Sequence, residues 1–413
     1  MTQSSLHEID HCEVCGGPRP PAVLDLGPHP MCDDLVPVGD ARVCREYPIE
    51  ILYCDTCRTA HQRFQVPKRE LFPTNYHYRA RFTADVLNGM RGLVESVAQR
   101  CGDLTGRKVL DIGCNDGSLL DFFREHGART FGIEPTGACA DAAQKGHSTI
   151  NDYLSPEVAR RFVAANGQPD FVTFTNVFAH IENLAEVFES LRILCGPQTK
   201  IVIENHFLGA VLDGRQFDTF YHEHPRTYSY TSFKFMARAL GMQLLHAEFP
   251  ARYGGNIRVI LGAQGAGAPF DDAEFVAREA RYGERMAGIQ AEVATWRAAK
   301  SRRIRDLVAK HGPLRAKAFP GRAAILVKLL GLDADTIASV AEKPGSLKIG
   351  HYLPGTRIPI RSDDELLAER DLTLPIVNLA WHIPKEIKGY LERAGYTGEV
   401  VDILEPSDFD ATV

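Results

Sequence analysis

Two groups of residues in this 413-residue chain have the types and spacing of chemistry. The first is Phe217-Asp-Thr-Phe-Tyr-His-Glu-His-Pro-Arg-Thr-Tyr228, which sets two histidines, two acids and two tyrosines within twelve positions. An imidazole titrates near neutrality and a neighbouring carboxylate fixes its tautomer, so a Glu223–His224 pair suits proton abstraction. A metal cluster at His222-Glu223-His224, or a plain polar loop, is the competing reading; no third ligand is in view for a metal there. The second group is Cys12-Glu-Val-Cys15 with Cys54-Asp-Thr-Cys57. Each pair can place two thiolates on one knuckle, and two knuckles supply the four tetrahedral ligands of zinc. A module with so little core takes its fold from the metal. Two redox dithiols are the alternative. Four cysteines leave no open coordination position, so the expected site is structural, with His11 and His61 as bystanders.

The element that must position this chemistry is Lys108-Val-Leu-Asp-Ile-Gly-Cys-Asn-Asp-Gly117. Val109, Leu110 and Ile112 read as a buried strand, and Gly113 and Gly117 turn it into an apolar-periodic helix from Ser118 to His126. Strand, glycine turn and helix N-terminus make a crevice at the carboxyl end of a parallel sheet, with backbone N–H groups facing a ligand. A second strand runs from Arg129 to Glu134 and ends in an acid about 20 residues on, suited to accept from both hydroxyls of a ribose. A helix from Thr136 to Lys145 follows, then a third strand ahead of Asn151-Asp-Tyr153. A fourth strand runs from Pro169 to Asn176, a helix from Asn183 to Leu194 and a fifth strand from Thr199 to Asn205. This alternation predicts a parallel, doubly wound sheet. Asp152 falls where an acid can bond an adenine amino group, and Asn176 closes the fourth strand. Asp111, Gly113, Asn115, Gly117, Glu134, Asp152 and Asn176 are therefore the expected cofactor contacts. The loop lacks the G-x-G-x-x-G spacing of nicotinamide enzymes. Its form, D-I-G-C-N-D-G-S, resembles motif I of S-adenosylmethionine-dependent methyltransferases, which implies a loop passing beside the methionine part of that cofactor.

Beyond the sheet, Tyr253-Gly-Gly-Asn-Ile-Arg258 predicts a tight turn between strands, with Arg258 facing solvent or an anion. Residues 271–311 read as one long linking helix. Residues 313–405 read as a smaller α/β domain, with strands at 314–319 and 376–380 and helices at 321–330 and 386–393. Its irregular stretch from Lys343 to Pro359 carries Lys348, His351 and Arg357, which suit a diphosphate or sugar acid, or equally a solvated loop. Composition bounds the rest. A 44% hydrophobic and 24% charged chain is globular, and a net charge of −6 gives no sign of a nucleic-acid surface. No run of about 18 apolar residues is present to cross a membrane. The polar N-terminus lacks the order of a signal peptide, and the ten cysteines form no secreted disulfide pattern, so a reducing cytoplasm is expected.

The paired CxxC motifs, D-I-G-C-N-D-G, Asn176-Val-Phe-Ala-His180 and Tyr221-His-Glu-His-Pro225 occur in an order that resembles the three-domain sugar C-methyltransferases over nearly the whole chain. The resemblance implies a zinc-binding module (1–70), a class I methyltransferase Rossmann-like domain with a substrate segment (71–270), a linking helix (271–312) and a C-terminal Rossmann-like α/β domain (313–413). It implies S-adenosylmethionine and structural zinc as cofactors, and a nucleotide-linked 4-keto-6-deoxysugar as substrate. No nucleic acid or membrane partner is implied, and the chain is expected as a monomer or small homo-oligomer. His224 matches the base that removes the proton beside the ketone, giving an enolate that attacks the cofactor methyl group. Tyr221 and Glu223 would position base and sugar, and Tyr76 and His180 would shape the pocket. O- or N-methyl transfer on a sugar is the alternative, and a non-catalytic scaffold the third reading. The chain departs from the family where the C-terminal domain opens. Ala318-Phe-Pro-Gly-Arg322 keeps one glycine of a glycine-rich turn and the lysine, Lys328, comes late, which leaves the nucleotide open. Tyr78-Arg-Ala-Arg-Phe-Thr83 likewise replaces the family's aromatic-serine run.

Overall fold

The computed structural model describes residues 6–74, 78–82, 84–265, 270–368 and 372–410. It divides into two compact units. The first takes residues 1–21, 52–213 and 223–283, and the second takes 22–51, 214–222 and 284–413.

The first unit is built on seven strands: β1 (Lys108–Ile112), β2 (Arg129–Ile133), β3 (Ser148–Ile150), β4 (Phe171–Thr175), β5 (Lys200–His206), β6 (Met242–Glu248) and β7 (Asn256–Ala263). They lie in the order β3-β2-β1-β4-β5-β7-β6. β1 to β5 are parallel, joined by helical crossovers. β7 runs antiparallel to both β5 and β6, so the sheet is mixed rather than wholly parallel as the alternation suggested. The cause is local: β6 and β7 are joined by a short turn, and a short connection can only return the chain antiparallel. Gly255, at φ +119°, occupies a backbone conformation in that turn that other residues rarely adopt. The order makes this a class I methyltransferase sheet. Its strand order reverses between β1 and β4, which opens the crevice at their carboxyl ends.

Strands covered on both faces read as apolar runs, and every residue of β4 is buried. Helix α1 (Ala84–Cys101) turns Val86, Met90, Leu93, Val94 and Val97 onto Val109, Phe123, Val202 and Ile260. The helix Pro156–Asn166, absent from the sequence reading, starts with a serine cap: Ser155 accepts from the Val158 N–H, with proline at the first helical position.

The second unit carries a parallel sheet of β8 (Leu314–Lys317), β9 (Ile337–Glu342), β10 (Ile360–Ser362), β11 (Ile376–Asn378) and β12 (Val400–Asp402), in the order β10-β9-β8-β11-β12. The helix Ala323–Leu330 follows β8 and is apolar nearly all round, as its burial requires. The linking segment is two helices, Ala273–Glu279 and Tyr282–His311, rather than one.

Candidate active site and metal centre

The four cysteine sulfurs lie within 4.8 Å of one another. Cys12 and Cys57 Sγ are 3.4 Å apart, and Cys15 and Cys54 Sγ are 3.7 Å apart. A tetrahedral zinc thiolate site, with Zn–S near about 2.3 Å, requires sulfur spacings of about this size. A tight turn shapes the first knuckle: Gly16 N–H donates to Cys12 O, and Cys12 N–H to Gly17 O. His61, expected as a bystander, is fully buried with its Nε2 3.4 Å from Cys12 Sγ.

The metal module also holds the histidine-rich segment. The strand after the second knuckle, Thr59–Gln62, pairs antiparallel with Arg226–Thr227, opposing His61 to Arg226. Arg226 is 1% exposed. Its guanidinium donates to Glu13 Oε2 at 2.5 Å, to the Tyr228 hydroxyl at 2.9 Å, to Glu182 O at 3.2 Å and to Ile181 O. Burial alone would raise the Glu13 pKa. The Arg226 charge, with bonding from His61 and Gln65, outweighs burial and holds Glu13 at about 2. One buried cation thus ties the zinc knuckle to the turns carrying His180 and His224.

Those turns bring three imidazoles together at the carboxyl edge of β4 and β5. His224, 4% exposed, has its ring centroid 4.9 Å from that of His180 and 5.2 Å from that of His206. His180 Nδ1–H donates to the Glu223 carbonyl at 2.8 Å, and its ring meets Phe72 edge-on. Burial pushes the His180 pKa down to about 4, so this ring is neutral at pH 7. Glu223 is 8% exposed. His206 was not singled out in the sequence, because a histidine closing an apolar strand has no spacing signature.

The other predicted residues fall as follows. Tyr76 lies outside the described residues. Tyr221 is half-buried and, with His222, belongs to the second unit. His222 Nε2–H donates to Tyr47 O at 3.0 Å, and burial pushes its pKa down to about 4. Its Nδ1 makes no hydrogen bond, but no further candidate ligands gather with it among the described residues. Among the described residues the four cysteines are the sole group of three or more candidate metal ligands gathered together.

In the cofactor crevice, Gly113 sits at φ +70°, and a Cβ there would come within 2.6 Å of Val177, so both the turn and its packing exclude a side chain. Asn115, at φ +49°, donates its N–H to Glu134 Oε2 at 2.9 Å, while Glu134 Oε1 accepts from Thr136 N–H at 2.9 Å. A carboxylate has about four acceptor positions, so Glu134 retains capacity for a diol. Asn115 Oδ1 accepts from Ala80 N–H and its Nδ2 donates to Tyr78 O, while Asp116 accepts from Arg81 N–H. The loop therefore orders residues 78–81. Asp111 points into the sheet: its carboxyl accepts from the Thr173 hydroxyl at 2.6 Å, and burial pushes its pKa up to about 7. It thereby joins β1 to β4 just before the loop. Gly117, at φ +75°, precedes the helix Ser118–Glu125. Asp152 is exposed just beyond β3. Asn176, at φ +54°, closes β4; its N–H donates to Glu204 O and its Oδ1 accepts from Asn256 at 3.4 Å.

Two expectations about anion sites are corrected. Arg258 does not face solvent; it is 5% exposed and paired with Glu204, at 2.7 Å, and Glu248. β5 and β7 place Glu204 opposite Arg258 in register, which buries both together. The Lys343–Pro359 stretch spends its cations on its own unit. Lys348 Nζ donates to Phe319 O at 2.6 Å, Arg357 donates to the carbonyls of Asp40, Ala41 and Arg42, and His351 lies in a strand pairing with Pro37. The altered turn after β8 does the same. Arg322 Nε lies 2.9 Å from Asp218 Oδ2 and its guanidinium stacks 4.9 Å from the Trp381 ring centre; Lys317 lies 2.6 Å from Asp363. Lys328 pairs with Glu46.

Three family models tile the chain: a putative zinc binding domain over residues 12–72, a methyltransferase domain over 79–247 and a C-methyltransferase C-terminal domain over 251–400. In order, the matches are the zinc-binding, methyltransferase and C-terminal parts of a C-methyltransferase. The chain is 29% identical to the C-methyltransferase NovU of Streptomyces niveus over 416 aligned residues, covering 98% of each protein. Similarity to a ubiquinone biosynthesis O-methyltransferase of Acinetobacter baumannii (strain AYE), also at 29% identity, spans 24% of this chain and 44% of that protein. The magnesium protoporphyrin IX methyltransferase of Synechocystis PCC 6803, solved with bound SAH, aligns over 43% of this chain and 84% of its own at 15% identity, with a TM-score of 0.34. The protein is an S-adenosylmethionine-dependent methyltransferase, and its four-cysteine cluster is a structural zinc site. Among the described residues, no helix is long and apolar enough to cross a membrane.

Proposed function

We propose that this enzyme methylates the carbon beside the ketone of a nucleotide-linked 4-keto-6-deoxysugar, with His224 as the base. The observation that carries the reading is the imidazole group at the carboxyl edge of β4 and β5, where His224 lies between His180 and His206 next to Glu223. A C–H beside a ketone is acidic enough for an imidazole only where the enolate oxygen is also stabilised, so a base buried among polar rings suits carbon chemistry. Methylating a hydroxyl needs less acid–base machinery. His180, held neutral and bonded to the Glu223 carbonyl, fixes the segment on which the base rides. On this reading Glu223 serves the base, and Tyr221 and Tyr76 are assigned to the sugar.

S-adenosylmethionine, when bound, supplies an electrophilic methyl group. Asn115, Glu134, Asp152 and Asn176 hold it, with Gly113 and Gly117 allowing close backbone approach and Asp111 joining β1 to β4 just before the loop. The ten cysteines follow no secreted disulfide pattern, which suits a reducing cytoplasm.

The test is transfer of a ¹³C-labelled methyl group from the cofactor to a panel of nucleotide-linked 4-keto-6-deoxysugars, read by NMR. A new carbon-bound methyl signal is expected. A labelled O-methyl or N-methyl signal would replace this reading with heteroatom transfer.

A further inference from the structure

We infer that His61 and Thr59 are positioning residues for the zinc thiolates: each donates a hydrogen bond to a cysteine sulfur, and through them the metal is tied to the stretch that follows His224. The readout is zinc affinity, which is independent of the sugar substrate.

A zinc ligand must be a deprotonated sulfur, and a thiolate has no hydrogen to give. A polar group within bonding distance of it is therefore the donor. Two side chains, both fully buried, stand there. His61 Nε2 lies 3.4 Å from Cys12 Sγ, and Thr59 Oγ1 lies 3.1 Å from Cys57 Sγ. With zinc bound, His61 carries its hydrogen on Nε2. Thr59 turns its hydroxyl hydrogen to sulfur, which leaves its oxygen to accept. Ser232 Oγ, 2.8 Å away, supplies that bond and itself accepts from Ser229 N–H at 2.9 Å. The donors then run one way, from Ser229 to Ser232, to Thr59 and to the Cys57 sulfur. Hydrogen bonds aligned in this manner polarise and strengthen one another.

The strand Thr59–Gln62 explains the placement. It begins two residues after Cys57, and alternation puts residues 59 and 61 on one of its faces. One short strand thus serves a sulfur from each CxxC pair. The far ends of both contacts lie long distances along the chain. Ser229 and Ser232 form the capping box of the helix Tyr230–Ala239. His61 stands opposite Arg226 in the antiparallel pairing, and its Nδ1 lies 3.8 Å from Glu13, the ion partner of Arg226. The metal therefore reaches Arg226 and Ser232 through one or two side chains. Partners of this kind orient metal ligands, and their loss costs about 10–100-fold in metal affinity.

The experiment measures zinc affinity of the full chain by competition with a chelator, for the wild type, Thr59→Val, Thr59→Ser, His61→Phe, His61→Gln and Ser232→Ala. Valine keeps the shape of threonine without the hydroxyl, and serine keeps the hydroxyl without the methyl group. Phenylalanine keeps the ring, and glutamine keeps an N–H donor. Thr59→Val and His61→Phe are expected to bind zinc about 10–100-fold more weakly, with Thr59→Ser and His61→Gln within about threefold of wild type. Ser232→Ala, which removes a hydroxyl bonded to no sulfur, is expected to weaken zinc binding in the same direction. A packing role reverses the order: valine and phenylalanine would then hold zinc better than serine and glutamine, and that result overturns the inference. Thr59→Val and His61→Phe both within about threefold of wild type overturns it as well. Where those two variants fail to fold, Ser232→Ala decides, and zinc affinity equal to that of the wild type overturns the donor chain.

Discussion

Arg226 gives the sharpest test of how the metal module supports the chemistry. Its guanidinium is 1% exposed and bonds Glu13 of the first cysteine knuckle, Tyr228, and the carbonyls of Ile181 and Glu182 just after His180. Arg226→Met keeps most of the volume and removes the charge. It leaves the Glu13 carboxylate, whose side chain is 11% exposed, without its cation. Breaking a buried ion pair from one side costs about 3–5 kcal/mol, chiefly because the surviving charge stays desolvated. The double variant Arg226→Met/Glu13→Gln removes that charge and should recover about 2 kcal/mol of the loss, a coupling that independent sites would not show. The assay is urea denaturation of the zinc-loaded protein, comparing midpoints at constant slope. Methyl transfer should fall in the single variant, since the turns carrying His180 and His224 lose their common tie. A loss below about 1 kcal/mol, or a double variant no more stable than the single one, would refute the reasoning.

Other consequences follow from the same structure. Metal analysis should find one zinc ion per chain, and Cys54→Ser should abolish retention and lower the melting temperature; full zinc content in that variant would contradict a four-cysteine site. Asp111 has a folded-state pKa near 7 against a usual 3.8. Between those values the folded protein keeps a proton that the unfolded chain releases, so this group's contribution to stability declines as pH rises from about 4 to 7. Asp111→Asn should therefore gain on wild type by up to about 4 kcal/mol between pH 4 and pH 8, and urea midpoints that keep a constant gap would show the carboxyl ionised throughout. Asn115→Ala removes the bonds that order residues 78–80, and calorimetry should show S-adenosylmethionine binding at least about tenfold more weakly, equivalent to about one charge-free hydrogen bond. In the second unit, Lys317→Met strands Asp363, which is 1% exposed, and should cost about 3–5 kcal/mol; a thermal scan indistinguishable from wild type would show the pair to be dispensable.

The parallel core was readable because its strands are apolar runs and its turns need glycine: Gly113 predicted the crevice, and the structure shows why no side chain fits there. The cysteines were readable because zinc imposes a spacing on sequence, and their sulfurs meet. What escaped lies in pairings between distant segments. The antiparallel insertion of β7 depends on a hairpin whose partner strand lies far back in the chain. Arg258 looked like a surface cation because its partner Glu204 is 54 residues away. Lys348 and Arg357 looked like anion ligands because backbone carbonyls, which bind them here, leave no trace in a sequence. His206 escaped for a related reason: its neighbour across the site is His224, and only the fold brings the end of β5 to that loop.

The central claim is that His224 makes an enolate. The most direct measurement is deuterium uptake at the sugar carbon beside the ketone, in D₂O, with S-adenosylhomocysteine bound so that no methyl group is present. The account predicts uptake in the wild type and none in His224→Asn, with cofactor affinity equal in the two. Uptake that persists in His224→Asn would contradict the assignment of the base. Efficient methyl transfer by the wild type without any exchangeable carbon position would contradict carbon chemistry altogether.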